Sequence, residues 1–218
     1  MKKQVIVVAG GSGSRMGAEF PKQFILLNGK PIILHTLERI HEVISIEDII
    51  LVIPESELSR WREVAKGTAF ENVSIAFGGE TRFDSVKSGL KLIDKNSIVG
   101  IHDSVRPFVS VETIKDCCKT AEEKGAAIPV VEIKDSIRRV FTGTSRAENR
   151  IKYRLVQTPQ FFLASKLIAA YEKPYTDNFT DDASVYEAAG NKVVLVDGNP
   201  ENIKITTPED LKLAGVFC

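Results

Sequence analysis

Metal-binding and redox residues are scarce in this chain. Its 218 residues hold three cysteines (Cys117, Cys118, Cys218) and three histidines (His35, His41, His102). No C-x-x-C or H-E-x-x-H occurs, so a zinc centre is not expected. Cys117 and Cys118 are sequence neighbours and make a poor disulfide, and free thiols suit a reducing compartment. An excess of either charge is also missing. Lys plus Arg and Asp plus Glu stand at 29 each, a formal net charge of zero. That gives no global attraction to nucleic acid or to an anionic membrane, and neither is expected as a partner. No apolar run approaches the ~20 residues of a membrane span. The opening run 4–9 is too short for a signal peptide and has no cleavage pattern, so the cytoplasm is the expected location. Several catalytic signatures are absent as well. There is no G-x-x-x-x-G-K-[ST], no G-x-S-x-G elbow and no Cys-His pair suggested by spacing. A dinucleotide fingerprint begins at Gly11 and Gly13 but fails, with Met16 where the third glycine belongs and Gly17 one residue late.

What is present is an alternation of strand-like and helix-like runs, with no internal repeat and no low-complexity linker. QVIVVA (4–9) is continuously apolar, as in a strand buried on both faces. PIILHTLERIHEVI (31–44) has helical apolar spacing, DIILVIP (48–54) reads as a strand, and residues 55–66 read as a helix. VSIAFGG (73–79) and SIVGIHD (97–103) are further strands; between them TRFDSVKSGLKLI (81–93) starts with Thr81 and Asp84 at capping-box spacing. VETIKDCCKTAEEKG (111–125) is a helix closed by Gly125, followed by the strand AAIPVVEI (126–133). KVVLV (192–196) and NIKIT (202–206) read as late strands, and Thr207-Pro208-Glu209-Asp210 opens a last helix. The alternation predicts a single-domain α/β fold over 1–218, with a mostly parallel twisted sheet and helices on both faces. One segment breaks the rhythm. Residues 134–159 hold two short β-like runs around a polar tip, which predicts a hairpin arm at about 134–157. Its charge density excludes a central core element and leaves two roles, a dimerisation arm or a solvent-exposed flap.

In open α/β sheets, ligands bind beyond the carboxyl ends of the strands. The candidate motifs AGGSGSRMG (9–17), GGETRFDS (78–85) and HDSVRP (102–107) each fall at such an end, and Lys204 comes from NIKIT. Glycines leave backbone N–H groups open to anions or base edges, Arg15 can fork onto phosphate oxygens, and Lys22 in PKQF adds a point charge. A tight turn with two surface cations would account for the same loop. Asp103 suits a hard cation such as Mg²⁺, or else caps a turn or pairs with Arg106; His102 has no nucleophile nearby and reads as packed. The missing general base is consistent with attack by a phosphate monoester, which is already mostly dianionic near neutrality with a second pKa of about 6. Such a reaction needs cations to offset repulsion between anions, and Arg15, Lys22, Arg106, Arg150 and Lys204 form such a set.

With AGGSGSRMG, PKQF, GGETRFDSV, HDSVRPF, QTPQFF (157–162), FTDDASVYEAAG (179–190) and NIKITTPEDL (202–211) in this order, the chain resembles the 2-C-methyl-D-erythritol 4-phosphate cytidylyltransferases of the non-mevalonate isoprenoid pathway. The resemblance spans essentially the whole chain and implies a Rossmann-like nucleotidyltransferase fold. It also implies transfer from CTP to methylerythritol phosphate, with Mg²⁺ and with release of pyrophosphate. On that likeness Arg15 and Lys22 stabilise the transition state. Ala9, Gly10, Gly11, Ser12, Gly13, Gly79, Glu80, Ser85 and Ser104 hold the nucleotide, and Asp103 serves the metal and the substrate hydroxyls. Arg106, Thr158, Thr180 and Lys204 line the acceptor pocket, and Ser136 and Arg150 reach a neighbour's site from the arm of a homodimer. The chain departs from the family's usual A-A-G, D-A-A-R-P and D-T at Ala9-Gly10-Gly11, Asp103-Ser104-Val105-Arg106-Pro107 and Asp135-Ser136, and has Glu148-Asn149 where an Asp usually precedes Arg150. None of these changes removes a charge assigned to catalysis. A ribitol 5-phosphate cytidylyltransferase shares the glycine loop, PKQF, D-x-x-R-P and QTPQ, but FTDDASVYE looks more like the methylerythritol enzymes. A non-catalytic nucleotide-binding module would have little need for Arg15, Lys22, Asp103, Arg106 and Lys204 together.

Overall fold

The structure, a computed structural model, describes residues 1–10 and 21–217. Its first strand, β1 (Lys2–Val8), has Val5, Ile6 and Val7 fully buried, as its unbroken apolar run requires. A short hairpin of β2 (Leu26–Leu27) and β3 (Lys30–Pro31) leads into α1 (Ile32–His41). Then follow β4 (Ile49–Ile53), α2 (Leu58–Ala65), β5 (Ser74–Phe77), α3 (Arg82–Leu90), β6 (Ser97–Asp103), α4 (Val111–Lys124) and β7 (Ala126–Glu132). The helix expected over 55–66 opens with a 3-10 turn at Glu55–Glu57. After a two-stranded hairpin of β8 (Ile137–Phe141) and β9 (Thr144–Glu148), the chain returns through β10 (Arg154–Val156) and β11 (Gln160–Leu163). It ends with α5 (Ala164–Ala170), α6 (Asp182–Ala188), β12 (Val194–Asp197) and α7 (Pro208–Phe217).

Local signals set several boundaries. Thr81 and Asp84 exchange the two bonds of a capping box at the start of α3. Ser110 accepts the Thr113 N–H at 3.0 Å to open α4, and Gly125, at φ 97°, closes it in the left-handed region. Thr207 and Asp210 cap α7 in the same reciprocal way around Pro208.

The main sheet runs β10-β7-β11-β6-β1-β4-β5, and β12 also pairs with β7. β1 lies parallel to β4 and β6, β4 to β5, and β12 to β7, whereas β10 and β11 run antiparallel. Because β12 pairs with both Ala127 and Val130, β10 and β11 must share the opposite edge of β7, as one strand interrupted at residues 157–159. Alternate residues feed two cores. Val5, Val7, Ile49, Leu51 and Ile53 meet Leu37 and Ile40 of α1, Trp61 of α2 and Ile114 of α4. Ile6, Val8, Ile50 and Val52 meet Val86 and Leu90 of α3 and Leu167 of α5. The molecule is thus three layers, with helices on both faces of a mainly parallel sheet.

NIKIT does not form the strand its alternation predicts. Residues 202–206 have no ladder partner because their bonds go to loops and side chains. Ile205 N–H donates to the Val105 carbonyl at 3.0 Å, Asn202 Nδ2 to the Thr158 carbonyl at 2.9 Å, and Arg106 Nη1 to the Asn202 carbonyl at 2.8 Å. Lys204 therefore comes from an extended loop rather than from a strand. KVVLV begins its pairing at Val194, two residues later than expected.

Candidate active site

Between β1 and β6 the order of the parallel strands reverses, which opens a crevice beyond their carboxyl ends. A cavity of about 300 Å³ lies there. Its described walls come from Val8 and Gly10 at the end of β1, Lys22 and Gln23, Gly79 to Arg82 and Ser85, Asp103 to Val105 at the end of β6, and Lys204. Gly11, Ser12, Gly13 and Arg15 lie outside the described residues.

Small residues and buried amides shape one wall of the cavity. Gln23, 1% exposed, donates from Nε2 to the Ala9 carbonyl at 2.7 Å and pins the base of the glycine loop. Ala9 itself is buried and does not face the cavity. The Gly79 N–H donates to Ser85 Oγ at 3.2 Å, and Ser85 Oγ donates to the Thr81 carbonyl at 3.0 Å. A Cβ on Gly79 would stand 2.4 Å from Asp84 Cβ, so only glycine permits this tight approach of the loop to α3. Ser104 is buried, and its N–H donates to the Val8 carbonyl at 3.0 Å, joining the ends of β1 and β6.

Asp103 is the electrostatic focus. Lys204 Nζ is 3.0 Å from its Oδ2, Arg106 Nε 3.5 Å from the same oxygen, and Arg82 Nε 3.5 Å from Oδ1. Burial opposes ionisation of Asp103, but Arg82, Lys204 and Arg106 outweigh it and hold the carboxyl well below the usual carboxylate range. No motif in the sequence gives Arg82 a role. Burial opposes its charge too, yet Asp182 and Asp103 outweigh this and raise its pKa. For Arg106 burial wins and lowers the pKa below the arginine norm.

His102 is packed behind Asp103, fully buried, as its lack of a partner nucleophile suggested. Its Nε2 lies 3.1 Å from the Arg106 carbonyl, so Nε2 carries the proton and donates; Nδ1 then accepts from Thr158 Oγ1 at 2.9 Å. Thr158 Oγ1 in turn accepts the Asp103 N–H at 3.1 Å. Burial pushes the His102 pKa down to about 4. Between about pH 6.5 and 4 the unfolded chain therefore binds this proton and the folded chain does not. Stability is expected to fall as pH drops through that window, by about 3 kcal/mol in all from this group. Urea midpoints across the window should show the slope, and His102→Gln should flatten it.

Other expected site residues lie elsewhere. Thr158 is buried and holds the backbone of Asp103 instead of lining the cavity. Arg106 sits behind Asp103, bonded to the Asn202 carbonyl. Thr180 lines a smaller cavity of about 70 Å³, which shares Thr81 and Arg82 with the larger one. Ser136 and Arg150 are exposed beside the β8–β9 hairpin and do not line either cavity; Arg150 donates to the Lys134 carbonyl. Gln160, which no motif argument singled out, holds the start of α6, donating to Asp181 Oδ2 and accepting the Ala183 N–H, each at 2.9 Å.

Residues 3–218 match the family model described as 2-C-methyl-D-erythritol 4-phosphate cytidylyltransferase. The chain belongs to that family. It is 50% identical over 218 residues to the Bacteroides fragilis enzyme of that name and 48% identical to the Phocaeicola vulgatus one, with all of each chain covered. The crystal structure of 4-diphosphocytidyl-2C-methyl-D-erythritol synthase from Anaerococcus prevotii superposes with a TM-score of 0.84 at 30% identity, covering 99% of this chain and 95% of that one. The Francisella tularensis cytidylyltransferase gives 0.81 at 30% identity, with 100% of both chains covered. Four cations surround the Asp103 cavity. Lys22, Arg82 and Lys204 stand on its walls, with Arg106 behind Asp103.

Proposed function

We propose that the chain transfers the cytidylyl group of CTP to 2-C-methyl-D-erythritol 4-phosphate. The products are 4-diphosphocytidyl-2-C-methyl-D-erythritol and pyrophosphate, in the non-mevalonate route to isoprenoid precursors. The observation that carries this reading is the convergence of Lys204, Arg106 and Arg82 on Asp103 in a crevice at the strand ends. An oxygen of the substrate phosphate forms a bond to the α-phosphorus of CTP as the bond from that phosphorus to the β-bridging oxygen breaks. The attacking phosphate is mostly a dianion near neutrality, so no residue need remove a proton. Lys22 and, from the glycine loop, Arg15 stabilise the charge developing at the α-phosphoryl, and Lys204 serves the acceptor phosphate.

Magnesium belongs to this reading. Among the described residues no group of three His, Cys, Asp or Glu gathers to hold a metal. A single carboxylate at the wall, Asp103, still fits Mg²⁺, which commonly takes one or two carboxylates and completes its shell with substrate phosphates and water. Once bound, Mg²⁺ would neutralise triphosphate charge that the side chains alone leave unmatched.

A homodimer is the remaining part. The return from the hairpin and the sheet edges beside β7 expose Ile151, Tyr153, Leu155, Val156, Val194 and Leu195, an apolar surface suited to a second copy. Arg150 and Ser136 would then reach the neighbour's acceptor pocket. The reading places the enzyme in the cytoplasm; no helix among the described residues is long and apolar enough to cross a membrane. The decisive assay supplies CTP and Mg²⁺ with methylerythritol phosphate or ribitol 5-phosphate and follows pyrophosphate. Release with the first alone is expected. Release with ribitol phosphate alone would reassign the acceptor, and release with neither would leave a nucleotide-binding module.

A further inference from the structure

The two cavities are joined by one side chain. Arg82 is the first residue of α3, directly after the cap Thr81, and it lies in the wall of both. Its guanidinium forks onto Asp182, the first residue of α6, with Nη1 to Oδ1 at 3.1 Å and Nη2 to Oδ2 at 2.7 Å. Asp182 is fully buried, and its Oδ1 also accepts from Tyr171 Oη at 2.6 Å. The remaining edge of the guanidinium, Nε, faces Asp103. Arg82 cannot swing away without leaving the buried carboxylate of Asp182 without its cation, which is strongly unfavourable. Its place is therefore fixed by α6.

The cations on Asp103 are not equivalent. Lys204 is 40% exposed, on a flexible stem, and can turn to a phosphate. Arg106 is tied to the Asn202 carbonyl, and Arg82 to Asp182. We propose that Arg82 is a positioning residue for cytidylyl transfer: seated by Asp182 and Tyr171, it holds Asp103 in place at the cavity wall and ties α6 to α3. Lysine cannot replace it, because a single ammonium cannot fork onto Asp182 and still meet Asp103. The inference rests on the reaction proposed above.

Steady-state kinetics with CTP, methylerythritol phosphate and Mg²⁺ test it. Arg82→Lys is expected to lower kcat by about 10²-fold, as small misplacements of reacting groups do, while the KM for CTP stays within about threefold and the circular dichroism is unchanged. Asp182→Asn should lower kcat in the same way, and the double variant should lose less than the two losses combined. A folded Arg82→Lys enzyme with wild-type kcat overturns the inference, as does a loss confined to the thermal midpoint. If Arg82→Lys does not fold, Tyr171→Phe decides by the same readout: a drop of fivefold or more in kcat at constant CTP KM supports the inference, and an unchanged kcat overturns it. Inactivity of the wild-type chain would instead refute the reaction itself, so the two failures are distinguishable.

Discussion

Asp103→Asn is expected to lower pyrophosphate release by about 10³-fold, the scale seen when a preorganised electrostatic element is removed. The amide keeps the size of the side chain but not its charge. Lys204 at 3.0 Å and Arg106 and Arg82 at 3.5 Å would then face one another around a neutral group, and their mutual repulsion would go uncompensated. The proposed magnesium would also lose its protein carboxylate. Two of these cations are anchored elsewhere, Arg106 at the Asn202 carbonyl and Arg82 at Asp182, so they cannot relax far. A coupled pyrophosphate assay measures the loss, with circular dichroism to establish that the variant is folded. A folded Asp103→Asn enzyme within tenfold of wild-type turnover would remove Asp103 from the chemistry.

The second large effect concerns the arm. Lys22 lines the larger cavity of its own chain, whereas Arg150 lies beyond β9 and lines neither of the two cavities described above. If the arm completes a neighbour's site, Lys22→Ala and Arg150→Ala are each nearly inactive for different reasons. A heterodimer of the two has one site with both defects and one with neither. Heterodimers isolated with two different affinity tags should then run at about half the wild-type rate per dimer, as the symmetry of a two-fold assembly requires. Activity no higher than that of the parent variants would return Arg150 to a role within its own chain or to none.

The parts of this molecule that announce themselves in sequence are those whose partners are near or whose burial is complete. β1, β4 and β6 are apolar runs covered on both faces, and the ends of α3, α4 and α7 are set by caps within four residues. NIKIT misleads because strand-like alternation does not report where the backbone finds its hydrogen bonds. Ile203 and Ile205 alternate with polar neighbours, yet their backbone finds loops instead of a ladder. Arg82 is hidden for another reason. In T-R-F-D the visible signal is the capping box of Thr81 and Asp84, while the partner of Arg82 lies 100 residues away at Asp182. Gln23, Gln160 and Asn202 are similar: each is a buried amide whose partners lie well away in the sequence. Charges and glycines at strand ends indicate where the chemistry gathers, but not which side chains hold it still.

The interruption between β10 and β11, together with the first residue of β11, gives three supports a common origin. From this one stretch Gln157 reaches the Asn199 carbonyl in the loop that carries Lys204, Thr158 holds the amide of Asp103, and Gln160 fixes the start of α6. Three walls built from distant parts of the chain are thus measured from a single ruler laid along the sheet. A small drift of that strand carries the walls with it as a set, so their mutual spacing depends less on the loops than on the stiffness of the sheet beneath them.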